Sequence, residues 1–253
     1  MDNTKVTSFV RETPAQEGLL DVFHRPLRDL RISVIDRCNF RCTYCMPAEA
    51  FHEGYNFLNP EEWLTFEELE RLVRLFVGLG VSKVRITGGE PLLRKNLDTL
   101  VQRLATLKGI ADLALTTNGV LLNRYAQKLK NAGLKRLTVS LDTLDENIFQ
   151  EMNGRKGTVS EVLEGIREAE RAGFRSIKIN VVVQRGINDH KILDITRFFK
   201  ATNHVVRFIE YMDVGNKNDW KPEQVVASRE ILALVHKEFP LRAVKSNYFG
   251  EVA

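Results

Sequence analysis

Arg31-Ile-Ser-Val-Ile-Asp-Arg-Cys38-Asn-Phe-Arg-Cys42-Thr-Tyr-Cys45 reads as a short strand that runs into a loop carrying every cysteine of the chain. In the strand, Ile32 and Val34 alternate with Arg31 and Ser33, so one face is apolar and the other polar. The pattern recurs downstream. Strands are predicted at Arg31–Ile35, Lys83–Thr87, Asp112–Thr116, Arg136–Leu141, Ile177–Val183 and Val205–Tyr211, with helical patterns between them. Thr65 with Glu68 and Thr158 with Glu161 have the spacing of capping boxes. Gly80, Gly109, Gly133 and Gly173 stand where helices should end, and a last helix is predicted over about Ser228–Phe239. Six βα units imply an α/β fold with a parallel sheet and right-handed crossovers. Six is short of the eight that close a TIM barrel. The predicted fold is therefore a partial (β/α)6 TIM-type barrel over residues 26–253, preceded by a polar leader over residues 1–25.

Parallel strands covered on both faces normally read as continuous apolar runs. Here one face is polar, so helices should cover the apolar face and the polar face should line a wet interior. Arg31, Lys83, Arg85, Lys178 and Arg207 would then point into it. Cations gathered in a cavity suggest an anionic ligand, with phosphate leading. An exposed antiparallel sheet with solvated charges is the competing reading.

Composition narrows the field. With 253 residues, 43% of them hydrophobic, the chain can bury one large core or two small ones. A net charge of +4 is too small to argue for nucleic acid. No apolar run approaches the ~18 residues of a membrane span, and residues 1–18 lack an apolar signal core. A soluble, cytoplasmic protein with no membrane partner is expected. Three cysteines within eight residues do not suit a disulfide framework.

Three thiolates in one loop can hold three irons of a [4Fe–4S] cluster and leave the fourth iron open. The alternative is a structural zinc site completed by His52 or His24. Within the loop, Phe40 and Tyr44 are candidates for shielding the cluster or for ordinary packing. Thr87-Gly-Gly-Glu-Pro91, Thr116-Thr-Asn-Gly119, Ser140-Leu-Asp142 and Glu210-Tyr-Met212 end the second, third, fourth and sixth strands. Each alone is compatible with turn chemistry. Together they mark one rim, where ligands bind in barrel-like folds.

With these motifs the chain resembles the radical S-adenosylmethionine enzymes. More closely, LRDLRISVIDRCNFRCTYCMP, VRITGGEPLLR, LTTNG, VSLDTLD, IKINVVV and RFIEYM resemble the GTP cyclases of molybdenum-cofactor biosynthesis, over essentially all of residues 26–253. The resemblance implies one [4Fe–4S] cluster on Cys38, Cys42 and Cys45, with S-adenosylmethionine on its open iron. It implies S-adenosylmethionine contacts at Tyr44, Gly89, Ser140 and Met212, and GTP contacts at Arg31, Arg85, Thr116 and Lys178. Lys83 and Arg207 are further candidate phosphate contacts. The implied reaction is cleavage of the cofactor to a 5′-deoxyadenosyl radical. Hydrogen is then taken from the ribose 3′ carbon, which attacks C8 of guanine and gives (8S)-3′,8-cyclo-7,8-dihydroguanosine 5′-triphosphate.

Implied partners are a reductant such as flavodoxin and a downstream cyclic pyranopterin monophosphate synthase, with the protein a monomer or homodimer. The family also has a second three-cysteine cluster and a diglycine tail beyond the point matching Gly250–Ala253. For a chain ending there, either a fragment or a protein that has lost the second cluster is expected, a truncated form being favoured, with cofactor cleavage retained and complete cyclisation weak or absent. A radical enzyme on another substrate, such as a peptide, and a non-catalytic zinc-binding module are the competing functions.

Overall fold

The computed structural model describes residues 19–213 and 219–244. Six strands form one sheet in the order β1-β2-β3-β4-β5-β6, and every neighbouring pair is parallel. They are β1 (Asp29–Ser33), β2 (Lys83–Thr87), β3 (Asp112–Thr117), β4 (Arg136–Ser140), β5 (Lys178–Val183) and β6 (Val205–Glu210). β1 and β6 lie at opposite edges, so the sheet is open, an α/β partial barrel. The antiparallel reading is excluded.

The first strand sits two residues earlier than its sequence pattern suggests. Val34 N–H still donates to Thr87 O at 3.0 Å, but Ile35 O is taken by Gly89 N–H at 2.8 Å. The backbone of Ile35 thus serves the loop after β2 rather than the ladder.

The apolar strand faces are buried as expected. Val84, Ile86, Leu113, Leu115, Leu137, Val139, Ile179 and Val181 are all shielded from solvent. Helices α1 (Phe66–Gly78), α2 (Leu97–Ala105), α3 (Leu122–Asn131), α5 (Val159–Arg171) and α6 (Ile192–Lys200) contribute the facing stripes. Leu97, Leu100, Val101 and Leu104 of α2 illustrate the three- and four-residue spacing that puts one helix face inward. Burying each such side chain contributes about 1.5–3 kcal/mol.

Local signals start these helices as predicted, and Gly80, Gly133 and Gly173 follow the ends of α1, α3 and α5 with positive φ, whereas α2 already ends at Ala105, ahead of Gly109. Glu68 N–H donates to Thr65 Oγ1 at 3.2 Å, and Glu161 N–H to Thr158 Oγ1 at 3.2 Å, each with the reciprocal carboxylate bond. The predicted last helix is α7 (Ser228–Glu238).

Two helices, not one, join β4 to β5. The first, α4 (Glu146–Asn153), begins at Asp145, whose carboxylate accepts from Asn147 N–H and Ile148 N–H, and ends at Gly154 with φ 75°. It lies over the loop that follows β1. Residues 19–25 close a turn through Asp21 and pair Leu20 with Pro26, and Leu19 N–H reaches Leu79 O at the end of α1. The leader before residue 19 and the terminal Gly250–Ala253 lie outside the described residues. Among the described residues, no helix is long and apolar enough to cross a membrane.

α5 packs against the loop after β3 at Gly165, where an added Cβ would lie 2.2 Å from Gly119 O. Overpacking there forces the helix outward. Gly165→Ala is expected to cost about 1–3 kcal/mol, read as a lowered urea midpoint with unchanged slope. An unshifted midpoint would show that this contact is soft.

Candidate active site

The loops at the C-terminal ends of the strands surround a cavity of about 170 Å³. Cys38, Cys42 and Cys45 border it together with Tyr44, Gly89, Thr116 and Ser140. The structure therefore gathers all three predicted thiols and four further predicted residues around one space. Met212 stands exposed beyond β6 and does not border that cavity. Arg31, Arg85 and Lys178 lie further from the rim, on the polar face of the sheet, Arg85 and Lys178 half-buried and Arg31 exposed on the edge strand.

Glycine makes the cavity possible. Gly89 N–H donates to Ile35 O and Glu90 N–H to Arg37 O, both at 2.8 Å, drawing the loop after β2 onto the segment leading to Cys38. A Cβ on Gly89 would fall 2.2 Å from Arg37 O, and one on Gly88 would fall 2.6 Å from Ile35 O. No other residue fits so close an approach. Arg41 then braces the cysteine loop from within. Its Nη1 donates to Cys38 O and Phe40 O and its Nε to Phe51 O, each at 2.8 Å.

Two buried carboxyl groups border the cavity. Glu90 accepts from Thr117 Oγ1 and Asn118 N–H at 2.8 Å and from Leu92 N–H at 3.0 Å, joining the second and third rim loops. Asn118 Nδ2 donates in turn to Asn39 Oδ1 at 2.8 Å, between the cysteines. Asp142 accepts from Tyr44 OH at 2.7 Å and Val182 N–H at 2.8 Å. Burial raises Glu90 to about 7 and Asp142 to about 6 despite these bonds.

Phe40 packs edge-on against Phe149 at 6.1 Å, the ordinary packing role among its two candidates, while also bordering the cavity. Asn118 and Asp142 belong to motifs that the sequence placed on the rim, without a role of their own; Asn153 carries no motif that marks it as a cavity residue. Glu210 of the last rim motif serves structure instead, accepting from Ser228 N–H at 2.5 Å at the start of α7.

The donor set fits a polynuclear iron–sulfur group. Burial pushes the Cys38 thiol up to about 11 and raises Cys42 and Cys45 as well, so their thiolates need a cationic group to displace the protons. Among the described residues, no three His, Cys, Asp or Glu are placed to hold a single metal ion. Three sulfurs spaced around a wider hollow suit a larger group. Neither His52 nor His24 borders the cavity, and His52 Nδ1 accepts from Gly54 N–H instead.

Below the cavity the sheet is cationic. Registration puts Arg31 beside Arg85, Thr138 beside Lys178 and Asn180 beside Arg207. Arg85 donates to Thr138 Oγ1 at 3.0 Å and Thr116 Oγ1 at 3.3 Å, and Arg207 to Asn180 Oδ1 at 2.8 Å. These acceptors are neutral. Partial burial, then the charges of Arg207, Arg31 and Arg136, lower the Arg85 pKa, and burial with Arg31 lowers Arg207. Arg136 is tied to the carboxylate of Asp112. Lys178 also borders a second hollow of about 400 Å³ with Lys130, Lys135, Arg136 and Arg175.

An open parallel (β/α)6 sheet with a three-cysteine loop after its first strand defines the class of radical S-adenosylmethionine proteins. The sequence matches the Radical SAM superfamily over residues 32–199. It is 54% identical over 233 residues to the GTP 3′,8-cyclase of Xanthomonas campestris pv. campestris strain 8004, covering 92% of this chain and 68% of that protein. To the GTP 3′,8-cyclase of Staphylococcus epidermidis strain RP62A it is 51% identical over 238 residues, covering 94% and 70%. The chain belongs to the radical SAM superfamily and, within it, to the GTP 3′,8-cyclase family.

Among solved structures, methylornithine synthase (PylB) superposes with TM-score 0.65 at 17% identity, covering 85% of this chain and 64% of that one. The anSMEcpe structure with bound AdoMet gives 0.65 at 19%, covering 85% and 59%. These likenesses establish the fold.

The buried Glu90 carboxyl gives a pH signature. Held near 7 when folded against 4.5 when unfolded, it binds its proton more tightly in the native state. Its contribution is fully present below about pH 4.5 and is lost as pH rises through about 7, by on the order of 3 kcal/mol. Without a bound cluster, the protein should lose stability across that window. Glu90→Gln should lower stability overall yet flatten the slope. An unchanged slope in pH-dependent urea titrations would place the titration elsewhere.

Proposed function

We propose that this chain performs the radical chemistry of a GTP 3′,8-cyclase: it holds one [4Fe–4S] cluster with an open iron and S-adenosylmethionine at the rim, and GTP in the cationic interior below. One observation carries the reading. The three thiols share a cavity with Tyr44, Gly89, Ser140 and Thr116, and that cavity stands over a polar face bearing Arg31, Arg85, Lys178 and Arg207.

When bound, the cluster and S-adenosylmethionine supply a one-electron cleavage that yields a hydrogen-abstracting 5′-deoxyadenosyl radical. The chain's own residues bind, orient and shield. Cys38, Cys42 and Cys45 would supply three thiolates. Gly89, with no side chain to intrude, and Ser140 would border the cofactor beside the Tyr44 main chain. Met212 would reach it from the end of β6.

Arg31, Arg85 and Lys178, with Lys83 and Arg207, would bind phosphate oxygens; for Arg85 and Arg207 the acceptors named above are hydroxyls or an amide, and such a guanidinium gains from an added anion. Thr116, already touching Arg85, would complete the substrate contact between the two zones. Phe40 and Phe149 close one side of the cavity with apolar rings and limit water. The electron would come from a reductant such as flavodoxin. The product would be consumed by a cyclic pyranopterin monophosphate synthase.

Anaerobic reconstitution should give about four irons per chain and a brown absorbance that bleaches on reduction. With dithionite and S-adenosylmethionine it should release 5′-deoxyadenosine, and Cys42→Ala should abolish that release. Arg85→Met should weaken GTP binding roughly 10–100-fold while leaving substrate-free cofactor cleavage intact. One zinc in place of iron, or unaltered GTP affinity in the Arg85 variant, would sink the respective half of the proposal.

A further inference from the structure

Asn153, the last residue of α4, is only 3% exposed and borders the cysteine cavity. Its Oδ1 accepts the backbone N–H of Lys156 at 2.9 Å. That bond fixes the amide's orientation, because only the oxygen can accept. The amino group is left over. Among the described residues, Asn153 Nδ2 is the single buried side-chain nitrogen or oxygen without a hydrogen-bond partner. Native proteins seldom leave a buried donor unmet, and such an atom calls for a ligand or ion.

The main chain places this amide beside the cysteines. Arg41 N–H donates to Asn153 O and Thr43 N–H to Met152 O, both at 3.0 Å, so the residues on either side of Cys42 hang from the last turn of α4. Gly154 permits the contact: a Cβ there would lie 2.7 Å from Arg41 O. Nearby acceptors are already engaged. Glu90 takes three donors and Asp142 takes two. Phe40 and Phe149 offer only rings. What is missing beside Asn153 is an acceptor, and a cluster on the three thiols would bring thiolate and sulfide sulfurs to that wall.

We propose that Asn153 Nδ2 donates a hydrogen bond to a sulfur of the cluster held by Cys38, Cys42 and Cys45. The inference rests on the cluster reading above and adds a residue that tunes and positions the group rather than one that touches substrate. An N–H donor on sulfur favours the more negative, reduced cluster, so it raises the reduction potential.

The test uses the anaerobically reconstituted full chain. Asn153→Asp keeps the oxygen for Lys156 and removes the donor; Asn153→Leu removes both. At a fixed solution potential, each should show a severalfold lower ratio of reduced to oxidised cluster than the wild type. Pulsed EPR of the reduced wild type labelled with amide-15N asparagine should show a nitrogen coupling that Asn153→Asp lacks.

Loaded variants with wild-type potential, or a coupling that survives in Asn153→Asp, would overturn the assignment. The labelled wild type decides independently where a variant fails to load, since absence of any coupling there also overturns it, as when a trapped water satisfies the amide. Wild-type protein that takes up no iron would instead refute the cluster reading itself.

Discussion

Everything at the rim depends on one backbone contact that only glycine allows. The loop after β2 lies so close to the segment between β1 and the cysteines that a Cβ on Gly89 would sit 2.2 Å from Arg37 O. Two amide hydrogen bonds, Gly89 to Ile35 and Glu90 to Arg37, secure it. Because the contact is main chain to main chain, it sets the position of the cysteine loop without depending on any rotamer. Glu90 extends the restraint to the third strand through Thr117 and Asn118, and Asn118 returns it to Asn39. α4 secures the opposite side through Arg41 and Thr43. A loop with little secondary structure of its own is thus held from three directions.

That arrangement is costly for the protein alone. Two buried carboxyls and three thiols, of which Cys38 and Cys42 are part-buried and Cys45 is exposed, gather around one cavity, all shifted towards their protonated forms. A core built for stability alone would fill such a volume with apolar side chains. The apolar face of the same strands does so, with Ile86, Leu115, Val139 and Ile179 fully packed. The sheet divides its two faces between stability and chemistry, and the division runs residue by residue along each strand.

This division explains what was legible in the sequence. Alternation in β2, β4 and β5 announced both a covered face and a polar interior, and the cysteine spacing announced the site. Strand ends were less legible. β1 ends early because Ile35 O is used by a loop some fifty residues downstream, a tertiary fact with no local signature. Asp142 stood in a rim motif with its partner unseen, and Asn153 was hidden altogether, for a related reason. An aspartate after a strand and an asparagine before a glycine both read as ordinary turn chemistry. Only the fold reveals that one meets Tyr44 across nearly a hundred residues and that the other borders the cysteine cavity with its donor unpaired. Met212 is the reverse case: its motif aligned with the rim, yet its side chain stands outside the central cavity.

The charge pattern also implies a direction. The rim holds acidic groups and thiols; the strand starts mix Asp29 and Asp112 with Lys83, Arg136 and Lys178, and Arg31, Arg85 and Arg207 lie between the two ends. Arg85 and Arg207, partly buried and held below the ordinary guanidinium pKa by burial and by neighbouring guanidinium groups, create a field that water screens less than at an open surface. On the reading proposed above, the phosphates of a nucleoside triphosphate would lie against these guanidinium groups at mid-sheet, with the sugar towards the rim. Orientation would then follow from where along the strands the guanidinium groups stand, before any contact to the base is made.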